Sequence, residues 1–313
     1  MHNKGHGDFV DEELGNDNIL DGRLPHCYGM GPSALEKDLF KSMIFKDNIL
    51  QDQITLITGG GTGLGKAMAL CFAGLGSHLV LASRKLENLE AVAREIKALG
   101  REALCVPTDV RDPAQVQSMV DRAVERFGRI DTLINNAAGN FLARAEELSP
   151  NGWKAVVEIV LNGSYFCANA VGKQMIRQKR GHILNTVATY WDKGNPYTVH
   201  SAAAKAGVVA MAKTLAVEWA KHNIRVNCIA PGFVQTEGAS SRLWAGMEGQ
   251  LTQGVPLGRF AKPEEIAQAA VYLTSEAGAY ITGEVLTVDG GGCLNQGEFP
   301  EELIDQLKAQ IKK

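Results

Sequence analysis

The chain has 313 residues, 45% of them hydrophobic and 21% charged, with a formal net charge of −3. These are ordinary values for a globular protein, and the near-neutral balance gives no sign of a nucleic-acid or lipid-surface partner. No uninterrupted apolar run reaches the roughly 18 residues of a membrane span, and the six cysteines are scattered without a Cys-x-x-Cys pair, so they read as reduced thiols in a cytoplasmic setting and offer no metal site.

Residues 1–45 are rich in Gly, Asn, Asp and Glu and have little periodicity. They lack the basic start and apolar centre of a secretory signal, and their acidic residues argue against a transit peptide. An arm is expected there, disordered or laid on a neighbouring subunit. His2 and His6 do not make a credible metal site.

The packed domain is expected over 46–295. Residues 54–58 read as a short apolar strand, followed by Gly59, Gly60, Gly61, Thr62, Gly63, Leu64 and Gly65 and then an alanine-rich helical pattern to about Gly76. Glycines there allow positive φ and let the backbone approach a pyrophosphate at a helix amino terminus. The next strand, 78–82, ends in Ser83, Arg84 and Lys85, where a carboxylate would accept from the ribose 2′-hydroxyl of NAD. Two cations stand there instead, and Arg84 suits a 2′-phosphate. NADPH is the expected cofactor.

Alternation continues with helix 86–99, strand 103–106, and the run Thr108, Asp109, Val110, Arg111. Asp112 and Pro113 read as cap and first turn of a helix over 113–127. Strand 131–135 then leads into Asn135-Asn-Ala-Ala-Gly-Asn-Phe141, in which Gly139-Asn140 reads as a turn. Ser149 and Pro150 open the next helix, which runs through Met175, and Gly181 is expected to stop it. Strand 182–188 follows and delivers Tyr190 beyond its carboxyl end. Helix 198–221 carries Ser201 and Lys205 and presents small residues from Ala202 to Gly207. Strand 224–230 ends at Pro231, Gly232, Phe233 and Val234. Residues 237–257 suit a substrate-covering lid, Pro263 starts a helix, and 284–289 forms the last strand. The tail 296–313 reads as a short amphipathic helix.

Strands and helices that alternate in this way predict an α/β Rossmann-type doubly wound parallel sheet of about seven strands, in a single domain. The Thr58, Gly59, Gly63, Gly65 spacing, the Asn-Asn-Ala-Gly element, Lys205 and the Pro231-Gly232 loop together resemble the short-chain dehydrogenase/reductase family. The likeness spans roughly 48–295. Two positions depart from it. Family members usually carry Tyr-x-x-x-Lys, since residues four apart share a helix face and the ammonium lowers the phenol's pKa; here Ser201 precedes Lys205 by four. The usual catalytic serine is replaced by Ala188.

Tyr190, fifteen residues before Lys205, and the extended Asn-Asn-Ala-Ala-Gly-Asn-Phe form resemble the NADPH-dependent 2,4-dienoyl-CoA reductases of that family. The resemblance implies an acyl-CoA substrate, with Tyr190 and Asn140 donating to the thioester oxygen, Lys205 on the nicotinamide ribose and Ser201 in support. It further implies Asp109 at the adenine, the Pro231–Val234 loop at the nicotinamide, Arg111, Phe141 and Ser149 at the substrate, and a homotetramer. Val160 stands where many members carry a helix-bending asparagine, so no role transfers there. Tyr197 and His200 rival Tyr190 as the acid. Other readings are a trans-2-enoyl-CoA reductase, a 3-oxoacyl or alcohol dehydrogenase, which would need a phenol at Ser201, and a non-catalytic dinucleotide-binding scaffold.

Overall fold

The protein is seen in a computed structural model that describes residues 48–236 and 248–294. The expected arm over 1–45, the tail 296–313 and the first part of the expected lid, 237–247, lie outside the described residues.

Seven strands make one parallel sheet: β1 (Ile54–Thr58), β2 (His78–Ser83), β3 (Ala103–Pro107), β4 (Thr132–Asn135), β5 (Gly181–Thr186), β6 (Ile224–Pro231) and β7 (Val285–Val288), in the order β3-β2-β1-β4-β5-β6-β7. The strands are apolar because both faces are covered. Helices α1 (Gly63–Gly74), α2 (Leu86–Ala98) and α8 (Pro263–Thr274) pack on one face with Ile57, Leu79, Leu81 and Ile134. On the other face, α3 (Pro113–Phe127), α5 (Gly163–Gln178) and α6 (Val199–Trp219) bury Leu56, Val80, Leu133 and Val226. Two short helices, α4 (Pro150–Val157) and α7 (Glu248–Gln253), complete the described set.

The strand order reverses direction between β1 and β4, which opens a crevice at their carboxyl ends. Register fixes what meets there: Ile57 pairs with Ile134, Asn135 with Asn185, and Asn185 with Cys228.

Several boundaries follow local chemistry. Helix α3 spans the expected 113–127, since the Asp112 carboxylate accepts from Ala114 N at 2.9 Å and Gly128 closes the helix in the left-handed conformation. Gly181 does not stop α5. The stop is Lys179, in left-handed conformation with φ 56°, and Gly181 is the first residue of β5. A Cβ at Gly181 would lie 2.3 Å from the Met175 sulfur, so the glycine serves close packing of strand on helix. Strand β5 stops at Thr186, two residues before the expected end, and Tyr190 sits in a turn.

The long helix through Met175 is interrupted. Residues Glu158–Asn162 form a π-helical turn between α4 and α5, with Val160 buried inside it and its carbonyl accepting from Ser164 Oγ at 2.6 Å. The whole helical stretch Pro150–Gln178 is long and apolar enough to cross a bilayer by length and composition; Cys167, Ala168, Val171 and Met175 on it are buried in the core beside the sheet. Within 248–257, where an irregular lid is expected, α7 is helical. Among the described residues, Cys167 and Cys228 are buried while Cys71, Cys105 and Cys293 are half-buried, and these five are free.

Candidate active site

The turn after β1 is built for a backbone that must come close to something. Gly59 and Gly63 have φ of 68° and 53°, a region that side chains with a Cβ rarely adopt. A Cβ at Gly65 would lie 2.1 Å from the Gly59 carbonyl oxygen, so only glycine fits. Gly60 and Gly61 are buried under Leu81 and Asn88, while Thr62 is exposed at the helix start and Leu64 half-buried. Helix α1 has neither a side-chain cap nor an acidic residue in its first turn. Its unpaired N–H groups and positive end are therefore open to an anion.

Across the crevice, the β4 loop is held to this turn by hydrogen bonds. Thr58 Oγ1 accepts from the backbone N–H groups of Asn136 and Ala137, both at 3.0 Å, and Asn136 Nδ2 donates to the Thr58 carbonyl at 3.1 Å. Asn135 Nδ2 donates to Asn185 Oδ1 at 3.0 Å and to the Ser164 carbonyl at 3.2 Å, which ties β4 to β5 and α5. The Asn-Asn-Ala-Gly element thus braces the crevice.

At the end of β2, Arg84 and Lys85 are exposed, with no hydrogen bond or ion pair described for either side chain. Asp109 and Arg111 are committed to each other: Arg111 Nε donates to both carboxylate oxygens at 2.9 and 3.1 Å. The Arg111 guanidinium holds the Asp109 carboxyl below the usual carboxylate range, and the Arg84 charge adds to this. At the far side, Pro231 ends β6 and Gly232 packs against Asp289, where a Cβ would come within 2.7 Å of the aspartate Cβ. Phe233 stacks on Phe260 with ring centroids 5.3 Å apart, and Val234 forms a parallel bridge with Ala261.

Two of the four residues expected to carry chemistry are in contact. Tyr190 Oη lies 3.1 Å from Ser201 Oγ, although eleven residues and a loop separate them in sequence. Ser201 is buried on the first turns of α6, and Lys205, four residues on, follows on the same face. Lys205 Nζ donates to the Thr186 carbonyl at 2.6 Å. Burial pulls the Lys205 ammonium down to about 8, against an opposing pull from Cys228. Tyr190 moves up because burial disfavours the phenolate, which outweighs the Ser201 hydrogen bond. The phenol is thus a protonated donor at neutral pH.

Asn140 is exposed on the β4 loop, and no hydrogen bond joins it to Tyr190. Its Oδ1 accepts from Phe141 N at 3.0 Å, which leaves both carboxamide N–H donors free. The Phe141 ring lies tilted against that of His200, one residue before Ser201, with centroids 4.5 Å apart. Ser149 caps α4, its Oγ accepting from Gly152 N at 3.1 Å. Of the rivals to Tyr190, Tyr197 is 56% exposed, and His200 is fully buried with neither ring nitrogen in hydrogen-bond geometry with a partner. Burial lowers the His200 imidazole's proton affinity, partly offset by the Phe141 backbone. Sequence reasoning missed Thr186, which acts through a backbone carbonyl and so leaves no trace in residue type.

These groups fit a nicotinamide dinucleotide: a glycine cradle that side chains would fill, an open helix end for the pyrophosphate, and a buried lysine near the strand ends. Residues 59–292 match the family model described as Enoyl-(Acyl carrier protein) reductase. The chain is 47% identical over 255 residues to a Bacillus subtilis protein named probable 2,4-dienoyl-CoA reductase [(2E)-enoyl-CoA-producing], covering 80% of this chain and 100% of that one. It is 41% identical over 265 residues to the Pongo abelii peroxisomal 2,4-dienoyl-CoA reductase [(3E)-enoyl-CoA-producing], covering 83% and 89% respectively. Among solved structures, a short chain dehydrogenase from Bacillus anthracis superposes with a TM-score of 0.73 at 47% identity, over 81% of this chain and 100% of that one. The glycine turn, the braced crevice, the buried lysine and these relatives agree, and the chain belongs to the short-chain dehydrogenase/reductase family, whose members are oxidoreductases using a nicotinamide dinucleotide.

Proposed function

We propose that the protein is an NADPH-dependent 2,4-dienoyl-CoA reductase, acting in the oxidation of unsaturated fatty acids. The observation that carries this reading is the contact between Tyr190 and Ser201 at 3.1 Å, one helical turn from Lys205. It supports a role for the Tyr190 phenol in a chain that carries Ser201 four residues before its lysine. The relatives named for this reaction support the substrate class.

A bound nicotinamide supplies hydride to the far carbon, C5, of the conjugated system. The negative charge that develops rests on the thioester oxygen, where preorganised donors count most. Tyr190 donates its hydroxyl proton in a hydrogen bond to that oxygen while accepting one from Ser201, and the free N–H groups of Asn140 are the second donor. Lys205 binds the ribose hydroxyls and adds positive charge beside the site. A proton taken from solvent by the dienolate at C2 leaves a 3-enoyl thioester, and at C4 a 2-enoyl thioester. Arg84 and Lys85 take the 2′-phosphate of the cofactor, and Asp109 the adenine once its pairing with Arg111 opens. Arg111, Phe141 and Ser149 line the acyl-CoA side. The five free cysteines described suit a reducing, cytoplasmic compartment.

The test is NADPH oxidation with 2,4-dienoyl-CoA, 2-enoyl-CoA and 3-oxoacyl-CoA, with the product double bond located by mass spectrometry. Turnover of the dienoyl thioester well above the other two is expected. Preference for 3-oxoacyl-CoA would overturn the proposal, and inactivity on all three would favour a non-catalytic dinucleotide-binding protein.

A further inference from the structure

His200 is a buried titratable side chain for which the mechanism above has no use. It is 0% exposed, and both ring nitrogens lie buried without a hydrogen-bond partner. A polar atom buried in this way gives up its hydrogen bond to water without a replacement. Such a side chain needs a reason to be where it is, and the reason visible is the ring packed on it. Phe141 lies against the imidazole with centroids 4.5 Å apart and planes tilted by 39°. Phe141 also meets the start of α4, where a Cβ on Gly152 would come within 3.0 Å of Phe141 Cζ. The residue thus touches two helices while 39% of it stays exposed.

Its backbone is held as well. Ala143 N donates to the Tyr197 carbonyl at 3.0 Å, and Tyr197 has a φ of 63°, a costly conformation for a bulky residue that nevertheless sets its carbonyl toward the loop. The Phe141 N–H in turn fixes the Asn140 carboxamide through Oδ1. An ordered chain therefore runs from the first turn of α6 through the Phe141 ring to the free donors of Asn140.

We infer that His200 is a positioning residue: its buried ring is the platform that seats Phe141 and, through it, orients Asn140 toward the substrate oxygen. The inference rests on the acyl-CoA reading for its consequence in turnover, while its structural half stands apart from any substrate. The imidazole is buried with its ring 4.5 Å from the Phe141 ring, and the part of its action that is shape alone can be carried by a phenyl ring.

The test compares His200→Ala with His200→Phe, and His200→Ala with Phe141→Ala in a double-variant cycle. Two readouts are taken on the full chain: amide hydrogen exchange at Phe141 and Ala143, and single-turnover hydride transfer with whichever acyl-CoA the unaltered enzyme reduces. His200→Ala is expected to speed exchange at both amides and slow hydride transfer by roughly ten- to a hundredfold, the scale of a misplaced catalytic group. NADPH affinity should not move. His200→Phe should restore both readouts, and His200→Ala should add little to Phe141→Ala. If His200→Phe is as slow as His200→Ala, or if the losses multiply in the double variant, the inference is overturned. Should His200→Ala fail to fold, His200→Leu takes its place in the cycle. Failure of the acyl-CoA reading would show separately, as absent turnover in the unaltered enzyme with the exchange result intact.

Discussion

Replacing Tyr190 by phenylalanine tests the centre of the mechanism because it removes one oxygen and keeps the ring. That oxygen has a single proton, and Ser201 Oγ lies 3.1 Å away. For Tyr190 to donate to the thioester oxygen, Ser201 must donate to Tyr190. The substitution therefore removes a donor from a desolvated oxyanion site, a loss of about 10²–10³ in turnover or roughly 3–4 kcal/mol. It also strands the buried Ser201 hydroxyl, costing about 1–3 kcal/mol of stability. Ser201→Ala leaves the phenol its proton and should slow the step less. Tyr197→Phe alters a side chain 56% exposed and should change almost nothing. The assay is single-turnover hydride transfer at saturating NADPH, with urea unfolding as a control for stability. If Tyr197→Phe is the slow variant and Tyr190→Phe is near normal, the acid has been misplaced. If both are near normal, no phenol serves as donor, and Asn140 or an ordered water must do so.

Arg84→Ala should reduce the preference for NADPH over NADH by roughly 1–3 kcal/mol, measured as the ratio of dissociation constants; equal affinity of the unaltered protein for both would refute the assignment. Lys205 has its ammonium pulled by burial from 10.5 to about 8. A lysine whose folded pKa lies below its unfolded one binds fewer protons when folded, so stability rises with pH between about 8 and 10.5. NADPH affinity should move the other way, weakening as the ammonium deprotonates above about pH 8, and Lys205→Met should abolish that dependence in a fluorescence titration. The small residues from Ala202 to Gly207 on α6 suit close approach of a neighbouring subunit. A homotetramer is expected by light scattering, and a monomer mass at micromolar concentration would count against it.

The sheet and its helices were legible because short apolar runs alternate with 3.6-residue periodicity and because punctuation residues sit where caps are needed. Asp112 and Pro113 placed the start of α3 to the residue. The end of α5 was not legible, since glycine is the usual signal for a left-handed stop and here Lys179 takes that conformation while Gly181 answers to Met175. Nor was the π turn, whose residues are as apolar as those on either side. In the site, the glycine turn declared itself through spacing. The Tyr190–Ser201 contact depends on how a loop folds back over a strand end, and residue spacing alone does not encode it. Asp109 and Arg111 were expected to face different ligands, yet adjacent opposite charges at the surface pair with each other first.

The π turn at Glu158–Asn162 bears on how such a site can change over time. An α-helix advances about 100° per residue, whereas a π turn spreads the same rotation over about one residue more, so it takes in an extra residue and leaves the segments on either side facing nearly as before. Deleting a single residue there would let the helix become regular while α4 still presented Gly152 to Phe141 and α5 stayed anchored through Cys167, Val171 and Met175. A deletion elsewhere on α4 or α5, with no wide turn to absorb it, would instead rotate one segment by about 100° against the other. One codon can thus be lost at this point with little change to the wall beside Phe141, and lost a turn or two away only by turning that wall around.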